Sequence, residues 1–239
     1  MKLAIIGYGK MGHEVERVAR ERGHEIVSII DINNRKDFDS KGFMSAEAAI
    51  EFSRPDSALK NFKECFDRNM PLVTGTTGVW YKHLDDVRET VINNKLTFFY
   101  ASNFSIGVNV LFAVNRFLAR IMNGLPQYNV EIEEVHHVHK LDSPSGTGIT
   151  IAEGIINNID RKRRWVEASG VSSDDLVIHS LRDGETPGIH EIVYESDVDV
   201  IRVKHDAKNR SGFALGAVLA AEFIRTKKGF FTMNDMLNL

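Results

Sequence analysis

The 239-residue chain is poor in cysteine and has no large excess of either charge. Its one cysteine, Cys65, cannot form an internal disulfide and fits a reducing compartment. The formal net charge is only −3. This gives no electrostatic reason to expect nucleic acid or an anionic membrane surface as a partner.

Long hydrophobic runs are also absent from the sequence. Stretches such as FALGAVLAAEFI are too short, or too interrupted by charge, to predict a transmembrane helix. The N-terminal MKLAIIGYG has only a brief apolar segment, so no signal peptide is expected. Because 43% of the residues are hydrophobic, the chain can bury a full core. We therefore expect a cytoplasmic globular protein.

The first hundred residues alternate short apolar runs with helical patterns. The runs predicted as strands are KLAIIGYG, HEIVSIID, AAIEFSRP, PLVTGTTG and LTFFYASNFS. Because parallel strands need crossover connections, the alternation predicts a Rossmann-like, doubly wound parallel sheet.

The pattern changes near residue 104. A long amphipathic helix, GVNVLFAVNRFLARIMNG, precedes four predicted strands, which are YNVEIEEVHHVHK, DLVIHSLR, HEIVYES and DVIRVKHDA. Strands with few helices between them predict a second, α+β domain with a mixed or antiparallel sheet. The last helical segment, SGFALGAVLAAEFIRTKKG, is expected to return to the first domain. We place the first domain at 1–103 and 210–239, and the second at 104–209.

The hexapeptide GYGKMG has the spacing G-x-G-x-x-G, after the first predicted strand and at a helix start. Such glycines permit a tight turn, close approach of a pyrophosphate, and packing of helix on strand. Asp31 ends the next strand, where a carboxylate can accept hydrogen bonds from an adenosine ribose. The alternative is a glycine turn without a cofactor. The candidate cofactor-binding residues here are Gly7, Tyr8, Gly9, Lys10, Met11, Gly12 and Asp31.

The motif leaves the choice between NADH and NADPH open. Asp31 favours NADH, whereas a 2′-phosphate needs a cation, which Lys10 or Arg35 could supply. Two further loops, TGTTG and ASNFS, follow the fourth and fifth predicted strands, where ligands of open α/β sheets bind. Each could also be an ordinary turn. They add these candidate cofactor-binding residues: Gly75, Thr76, Thr77, Ala101, Ser102, Asn103 and Phe104.

The segment EEVHHVHKLDSPSGTG holds three histidines within four positions, followed by a lysine. One interpretation is a strand with solvated polar residues, and a second is a metal site. Neighbouring histidines on a strand point to opposite faces. His137 and His139 share a face but have no clear third and fourth ligand nearby in the sequence, so no metal is predicted.

The third interpretation is acid–base chemistry on an anionic substrate. In an extended strand Lys140 would lie about 13 Å from His136. Their cooperation therefore requires a bend, which Pro144 and Gly146 make plausible soon afterwards. The helix that begins at residues 145–147 could bind a carboxylate through its free N–H groups and positive dipole end.

At these residues the chain closely resembles the bacterial 4-hydroxy-tetrahydrodipicolinate reductase (dihydrodipicolinate reductase) family. The matching segments, in the family's order, are GYGKMG, FSRP, GTTG, ASNFSIGVNV, HHVHKLDSPSGT and NRSGFALGA. The resemblance implies a dinucleotide-binding domain completed by the C-terminal helices, and a substrate-binding domain that forms a homotetramer. It implies reduction of a cyclic imine dicarboxylate by NADH or NADPH, in lysine and diaminopimelate synthesis.

The resemblance also implies roles for single residues. His136 matches the proposed proton donor. Lys140 matches a second acid that also holds a substrate carboxylate; whether it donates a proton or only binds is left open. The residues that match substrate contacts are His137, Ser145, Gly146 and Thr147.

The chain departs from the family at two places that matter below. After the second strand it has Asp31-Ile32-Asn33-Asn34-Arg35 instead of an acid followed directly by a base, and Gly148 stands where alanine is usual. Two alternatives are another two-domain NAD(P) oxidoreductase and an NAD(H)-sensing regulator without turnover. A regulator would need neither His136 nor Lys140.

Overall fold

The apolar runs and helical patterns become eleven strands and eight α-helices in the described residues, 1–167, 172–209 and 211–239 of a computed structural model. The first part contains β1 (Lys2–Ile6), α1 (Lys10–Glu21), β2 (Glu25–Ile30), α2 (Lys41–Met44), β3 (Ala48–Glu51), α3 (Ala58–Asp67), β4 (Leu72–Thr74), α4 (Leu84–Asn93) and β5 (Thr97–Tyr100). Then follow α5 (Ile106–Asn123), β6 (Asn129–His136), α6 (Gly146–Ile156), β7 (Arg164–Val166), β8 (Asp175–Arg182), β9 (Ile189–Glu195) and β10 (Val200–Asp206). The chain ends with α7 (Ser211–Ile224), β11 (Gly229–Phe231) and α8 (Met233–Leu237).

These elements form two compact units. The first comprises Met1–Ile106 and Ser211–Leu239, and the second comprises Gly107–Arg210. Among the described helices, none combines the length and hydropathy required to cross a bilayer.

The sheet of the first unit has six strands in the order β11-β5-β4-β3-β1-β2, and every pair is parallel. The strand order reverses between β1 and β3, which is the topological switch point where doubly wound sheets bind ligands. The predicted Rossmann-like parallel sheet is confirmed. Strand β11 was not predicted, because its three residues directly follow the charged end of the predicted helix.

Alternate side chains of β1 face the two layers of helices in this unit. Leu3 and Ile5 pack in the cluster that contains residues of α1 and α7, whereas Ala4 and Ile6 pack in the cluster with residues of α3 and α4. Helix α7 approaches closely because its residues are small. A Cβ on Gly216 would lie 1.8 Å from the Phe104 carbonyl oxygen, so a side chain cannot fit there.

The sheet of the second unit has the order β10-β9-β6-β8-β7 and is mixed. Strand β6 runs antiparallel to β9 and parallel to β8, which confirms the predicted mixed sheet. Buried residues of α5 and α6 cover one face of this sheet, where they pack in one cluster with Ile132 of β6 and Tyr194 of β9. Strand β7 was not predicted.

Strand β6 ends at His136, four residues before the predicted strand ends. The Lys140 N–H donates to the His137 carbonyl (3.1 Å), and the Val138 N–H donates to the Gly184 carbonyl (3.1 Å). The expected strand alternation from His136 to Lys140 is therefore wrong: the chain turns immediately after His136. The bend required for the two side chains to cooperate comes earlier than Pro144.

Candidate active site

The glycine turn between β1 and α1 has two crowded positions and one open one. A Cβ on Gly7, whose φ is +87°, would lie 2.2 Å from the Phe52 carbonyl oxygen, and one on Gly12 would lie 2.3 Å from the Gly7 carbonyl oxygen. A Cβ on Gly9 would have nothing within 4 Å. Gly7 and Gly12 thus serve chain packing, while Gly9 leaves space at the start of α1 for an anion.

A cavity of about 390 Å³ lies beside this turn, at the carboxyl ends of β1, β2 and β3. Its lining includes Gly7, Tyr8 and Gly9, and it brings Asp31 and Arg35 to the same space. An open backbone approach next to a carboxylate at the end of β2 fits the adenosine half of a dinucleotide. Lys10 and Met11, in the first turn of α1, are not among the described residues that line it.

A hydrogen-bonded network holds Arg35 at this cavity. Its guanidinium donates to Asn61 Oδ1 (2.8 Å), and the Asn61 amide donates to Ser53 Oγ (2.9 Å) and to Glu51 Oε1 (3.2 Å). Glu51 is fully buried and also accepts from the Thr74 hydroxyl (2.6 Å). A buried carboxylate therefore orients the amide that orients the cation.

Several residues of this cavity were not predicted from the sequence. They include Ser53, Arg54, Ser57, Lys60 and Asn61. The segment FSRP follows the third strand at the same edge of the sheet, and that position could have identified Ser53 and Arg54. Asn61 lies inside α3 and gives no such signal.

The loop after β4 contains buried residues that hold its conformation and an exposed residue. A Cβ on Gly75 would lie 2.0 Å from the Phe52 ring. Thr76 is buried, and its hydroxyl accepts from the Ser53 N–H (2.8 Å) while its carbonyl accepts from the Trp80 indole (2.6 Å). Thr77 is exposed at the carboxyl edge of the sheet.

The loop after β5 likewise contains both buried and exposed residues. Phe104 is only 2% exposed, and its ring centroid lies 5.8 Å from those of Phe52 and Phe99. Ala101 is buried, Ser102 is exposed, and Asn103 Oδ1 accepts from the Ser105 N–H (2.9 Å). Phe104 therefore anchors the loop in the core, whereas Ser102 remains exposed.

The turn after β6 positions Lys140 through two ionic contacts. Its ammonium donates to both oxygens of Asp142, at 2.8 Å each, and this hydrogen bond holds the pKa of Asp142 below its usual value. Arg182 of β8 braces the same turn by donating to the Asp142 carbonyl (2.6 Å). His137 is half-buried, whereas His139 is exposed and pairs with Glu185 at 3.1 Å.

His136 is buried at the end of β6. Burial lowers its pKa, and the negative charge of Glu134 only partly opposes this effect. Within the described residues, His136 Nδ1 is buried and has no hydrogen-bond partner. The imidazole is therefore neutral near neutral pH until another negative charge arrives.

The predicted helix after the turn is present as α6, with Ser145 as its N-cap. The Ser145 hydroxyl accepts from the Gly148 N–H (2.9 Å). Gly146 is exposed, and a Cβ there would have nothing within 4 Å. Gly146, next to the half-buried Thr147, therefore leaves the helix start accessible to an anion.

Glu134 was not predicted as a site residue from the sequence. It is fully buried and accepts hydrogen bonds from the Ser145 N–H (2.9 Å), the Ser145 hydroxyl (2.5 Å) and the Ser180 hydroxyl (3.0 Å). Possible metal-ligand atoms of Glu134, His136 and His190 lie within 4.8 Å of one another. Because both Glu134 oxygens already accept hydrogen bonds, we interpret the group as an acid–base cluster.

Comparisons with known proteins agree along the whole chain. The family model for the N-terminus of dihydrodipicolinate reductase matches residues 1–104, and the model for its C-terminus matches residues 107–237. The chain is 44% identical over 238 residues to 4-hydroxy-tetrahydrodipicolinate reductase of Christiangramia forsetii, covering 100% of this chain and 98% of the relative. It is 31% identical over 248 residues to the enzyme of the same name from Staphylococcus saprophyticus, covering 99% and 100%.

A solved structure supports the same fold. Dipicolinate-bound dihydrodipicolinate reductase from Paenisporosarcina sp. TG-14 superposes with a TM-score of 0.79 at 23% identity, covering 98% of both chains. With both family models matched and two full-length relatives above 30% identity, the chain belongs to the dihydrodipicolinate reductase family of NADH- or NADPH-dependent oxidoreductases.

Proposed function

We infer that this chain reduces 4-hydroxy-tetrahydrodipicolinate to tetrahydrodipicolinate with NADH or NADPH, in lysine and diaminopimelate biosynthesis. The observation that carries this function is the grouping of His136, the Lys140 turn and the start of α6, in a chain that both family models match. An NAD(H)-sensing regulator would have no use for that grouping.

The first unit is the dinucleotide-binding domain in this proposal. Gly9 and the start of α1 face the pyrophosphate, and Asp31 and Arg35 face the adenosine ribose; the lining of the cavity supports this assignment. The other residues that we propose for the cofactor-binding segments are Gly7, Tyr8, Lys10, Met11, Gly12, Gly75, Thr76, Thr77, Ala101, Ser102, Asn103 and Phe104. The bound reduced nicotinamide supplies the hydride.

The second unit binds the dicarboxylate. Gly146 and Thr147 receive one carboxylate at the open start of α6, where N–H groups and the helix dipole favour an anion. Lys140 binds the other, for which the substrate must share or displace Asp142, and His137 adds a contact. Ser145 contributes as the N-cap, since its N–H and hydroxyl are already bonded to Glu134.

His136 supplies the proton. Replacing the hydroxyl of the substrate by hydrogen consumes one hydride and one proton and releases water. His136 has a lowered pKa before substrate binds, so it is neutral near neutral pH. Two incoming carboxylates raise that pKa, because opposite charges favour the protonated imidazole. The negative charge of the substrate thus favours the protonated His136 that the reaction needs. A positioned acid accelerates such a step by about 10²- to 10⁴-fold.

We also propose that the enzyme is a cytoplasmic homotetramer whose contacts involve the second sheet. The face of that sheet opposite α5 and α6 exposes Leu181 (57%) and Val200 (44%). The same face carries Glu191, which pairs with Arg202 at 3.2 Å. Apolar side chains beside charges of both signs suit a second copy of the same face. Sedimentation analysis of the purified chain tests this assembly, and a monomer at micromolar concentration would contradict it.

The decisive experiment is oxidation of NADH or NADPH on addition of the cyclic imine, prepared fresh from pyruvate and aspartate semialdehyde. His136→Ala should mainly lower kcat, by about 10²-fold or more. Thr147→Ala should mainly raise KM, because it weakens carboxylate binding. No oxidation by the unaltered protein would refute the function, and an unchanged kcat in His136→Ala would remove histidine from the chemistry.

A further inference from the structure

A buried acid lies beneath the proposed proton donor. Glu134 is on β6, two residues before His136, on the strand face that also buries Val130 and Ile132. The alternation of the strand calls for an apolar residue at this position. A carboxylate is costly to bury there unless hydrogen bonds compensate for the lost water.

Three hydrogen bonds provide this compensation. Two come from Ser145, the N-cap of α6, and one comes from the Ser180 hydroxyl on β8. Burial raises the pKa of Glu134, but these hydrogen bonds and the neighbouring His136 together outweigh burial and hold that pKa below its usual value. Glu134 is therefore a fixed negative charge at neutral pH.

Two imidazoles face this charge. His136 Nδ1 lies 4.0 Å from Glu134 Oε1, and His190 Nε2 lies 3.7 Å from Glu134 Oε2. His190 Nε2 is also 3.2 Å from Ser145 Oγ. The Ser145 hydroxyl gives its one hydrogen to Glu134, so His190 must donate to Ser145 from Nε2.

His190 is neutral in the folded protein. Its deep burial lowers its pKa to about 4. His205, opposite His190 in the β9–β10 pair, adds no negative charge. Of the two imidazoles, His136 is therefore the one whose protonation Glu134 can favour, with burial as the main opposing effect.

We propose that Glu134 is a positioning residue for the reductase reaction: its charge favours the protonated form of His136, while its hydrogen bonds to Ser145 hold the start of α6 that receives the substrate. This inference rests on the proposed function, in which His136 supplies the proton. The crowding at Gly148 supports it, because a Cβ there would lie 2.5 Å from Glu134 Oε2. The first turn of α6 thus lies directly against the carboxylate.

Charged groups from several elements face His136, and their signs decide its titration. Lys140 and Arg182 oppose protonation of the ring, whereas Glu134 and Asp142 favour it. Glu134 makes the largest favourable contribution of these groups and is fully buried, so water does not screen it. His190 adds no net charge while it is neutral.

The test is Glu134→Gln, which keeps the shape of the side chain and removes its charge. With ¹³C-labelled histidine, NMR titration should show the pKa of His136 falling by about one unit or more, which corresponds to a tenfold loss of protonated ring at higher pH. In the assay, kcat above neutral pH should fall about tenfold, and its descending limb should move to lower pH by the same interval. KM for the substrate should change less than kcat.

Glu153→Gln is the matched control, because Glu153 is an exposed carboxylate on α6 of the same unit. It should leave both the titration and the pH profile unchanged. Glu134→Asp retains the charge at a greater distance and should give an intermediate pKa for His136. An unshifted His136 in Glu134→Gln would overturn the proposal, and so would a loss of kcat without a shift of the pH profile.

A measurement on the unaltered protein covers the case in which Glu134→Gln does not fold. The ¹³C signal of the Glu134 carboxyl should show an ionised group down to about pH 5. A carboxyl protonated near neutral pH would refute the inference. If the unaltered protein fails to oxidise NADH or NADPH with the cyclic imine, the proposed function fails, and the NMR titration still decides whether Glu134 controls His136.

Discussion

The Lys140 ammonium donates to both carboxylate oxygens of Asp142, at 2.8 Å each. Lys140 is also the side chain proposed to bind a carboxylate of the substrate. Asp142 is 62% exposed, so it acts as a displaceable partner that occupies the cation until an anionic ligand arrives. The same contact therefore orients Lys140 and competes with the substrate.

Replacing Asp142 by Asn should lower the KM for the cyclic imine. The exposed ion pair is worth about 0.2 to 1 kcal/mol, so freeing Lys140 can tighten binding by up to about fivefold. Steady-state kinetics at the acidic end of the active range measure this effect, because His136 is then protonated in both proteins. Glu185→Gln breaks the exposed pair with His139 (3.1 Å) and is the control. A KM that rises in Asp142→Asn would mean that Asp142 holds Lys140 in its binding position.

The two kinetic parameters should depend differently on pH. Burial holds the pKa of His136 below its ordinary value near 6.5 in the free protein. The proton donor works only when protonated, so kcat/KM, which reports the free enzyme, should fall as pH rises through that lowered pKa. In the complex the substrate carboxylates raise the pKa, so kcat should hold to higher pH before it falls. If kcat and kcat/KM fell over the same pH range, the substrate carboxylates would not raise the pKa of His136, and this prediction would be wrong.

The first sheet was predictable because its strands are buried on both faces. Strand β1 is a continuous apolar run between a lysine and a glycine turn, and such runs differ clearly from the amphipathic helices between them. Strands β7 and β11 were missed because three residues are too few to show a period, and neither runs directly into a glycine loop such as the TGTTG segment that marks β4. Gly229–Phe231 becomes a strand by pairing with Thr97–Tyr100, which lies more than a hundred residues earlier in the chain.

The candidate site was only partly predictable for a related reason. The composition of residues 136–147 identifies them as a candidate site, but nothing in the sequence distinguishes Glu134 from the other acids on its strand. Its importance comes from its register with Ser180 on β8 and with His190 on β9. Those pairings depend on how three distant segments align, and a single sequence does not contain that alignment. The predicted strand was four residues too long because hydrogen bonds of the turn, including one to Gly184, end β6 at His136.

Two glycines of the same turn should respond in opposite ways to alanine. Gly7→Ala forces a side chain to φ +87° and to 2.2 Å from a backbone oxygen, so it should destabilise the fold by about 2 kcal/mol or more. That corresponds to a fall in melting temperature of about 4 °C or more for a chain of this size. Gly9→Ala has open space, so it should melt normally but bind NADH and NADPH more weakly, because its Cβ occupies the approach of the pyrophosphate. Thermal melting and cofactor titration on both variants separate the two effects. Normal cofactor binding by Gly9→Ala would show that the glycine turn does not contact the cofactor.

Arg35 should decide how well the enzyme uses NADPH. Its guanidinium lines the cavity beside Asp31 and is held there by Asn61. The extra phosphate of NADPH gains a charge-assisted contact from such a cation, whereas the free ribose hydroxyl of NADH uses the carboxylate. Arg35→Ala should therefore raise the KM for NADPH about tenfold or more and change the KM for NADH little, because a hydrogen bond to a charged group is worth about 1.5 to 3 kcal/mol. Lys36→Ala, the exposed neighbour that is not among the described residues lining the cavity, should leave both values unchanged. If Arg35→Ala raised both KM values equally, Arg35 would support the shape of the cavity and would not read the 2′-phosphate.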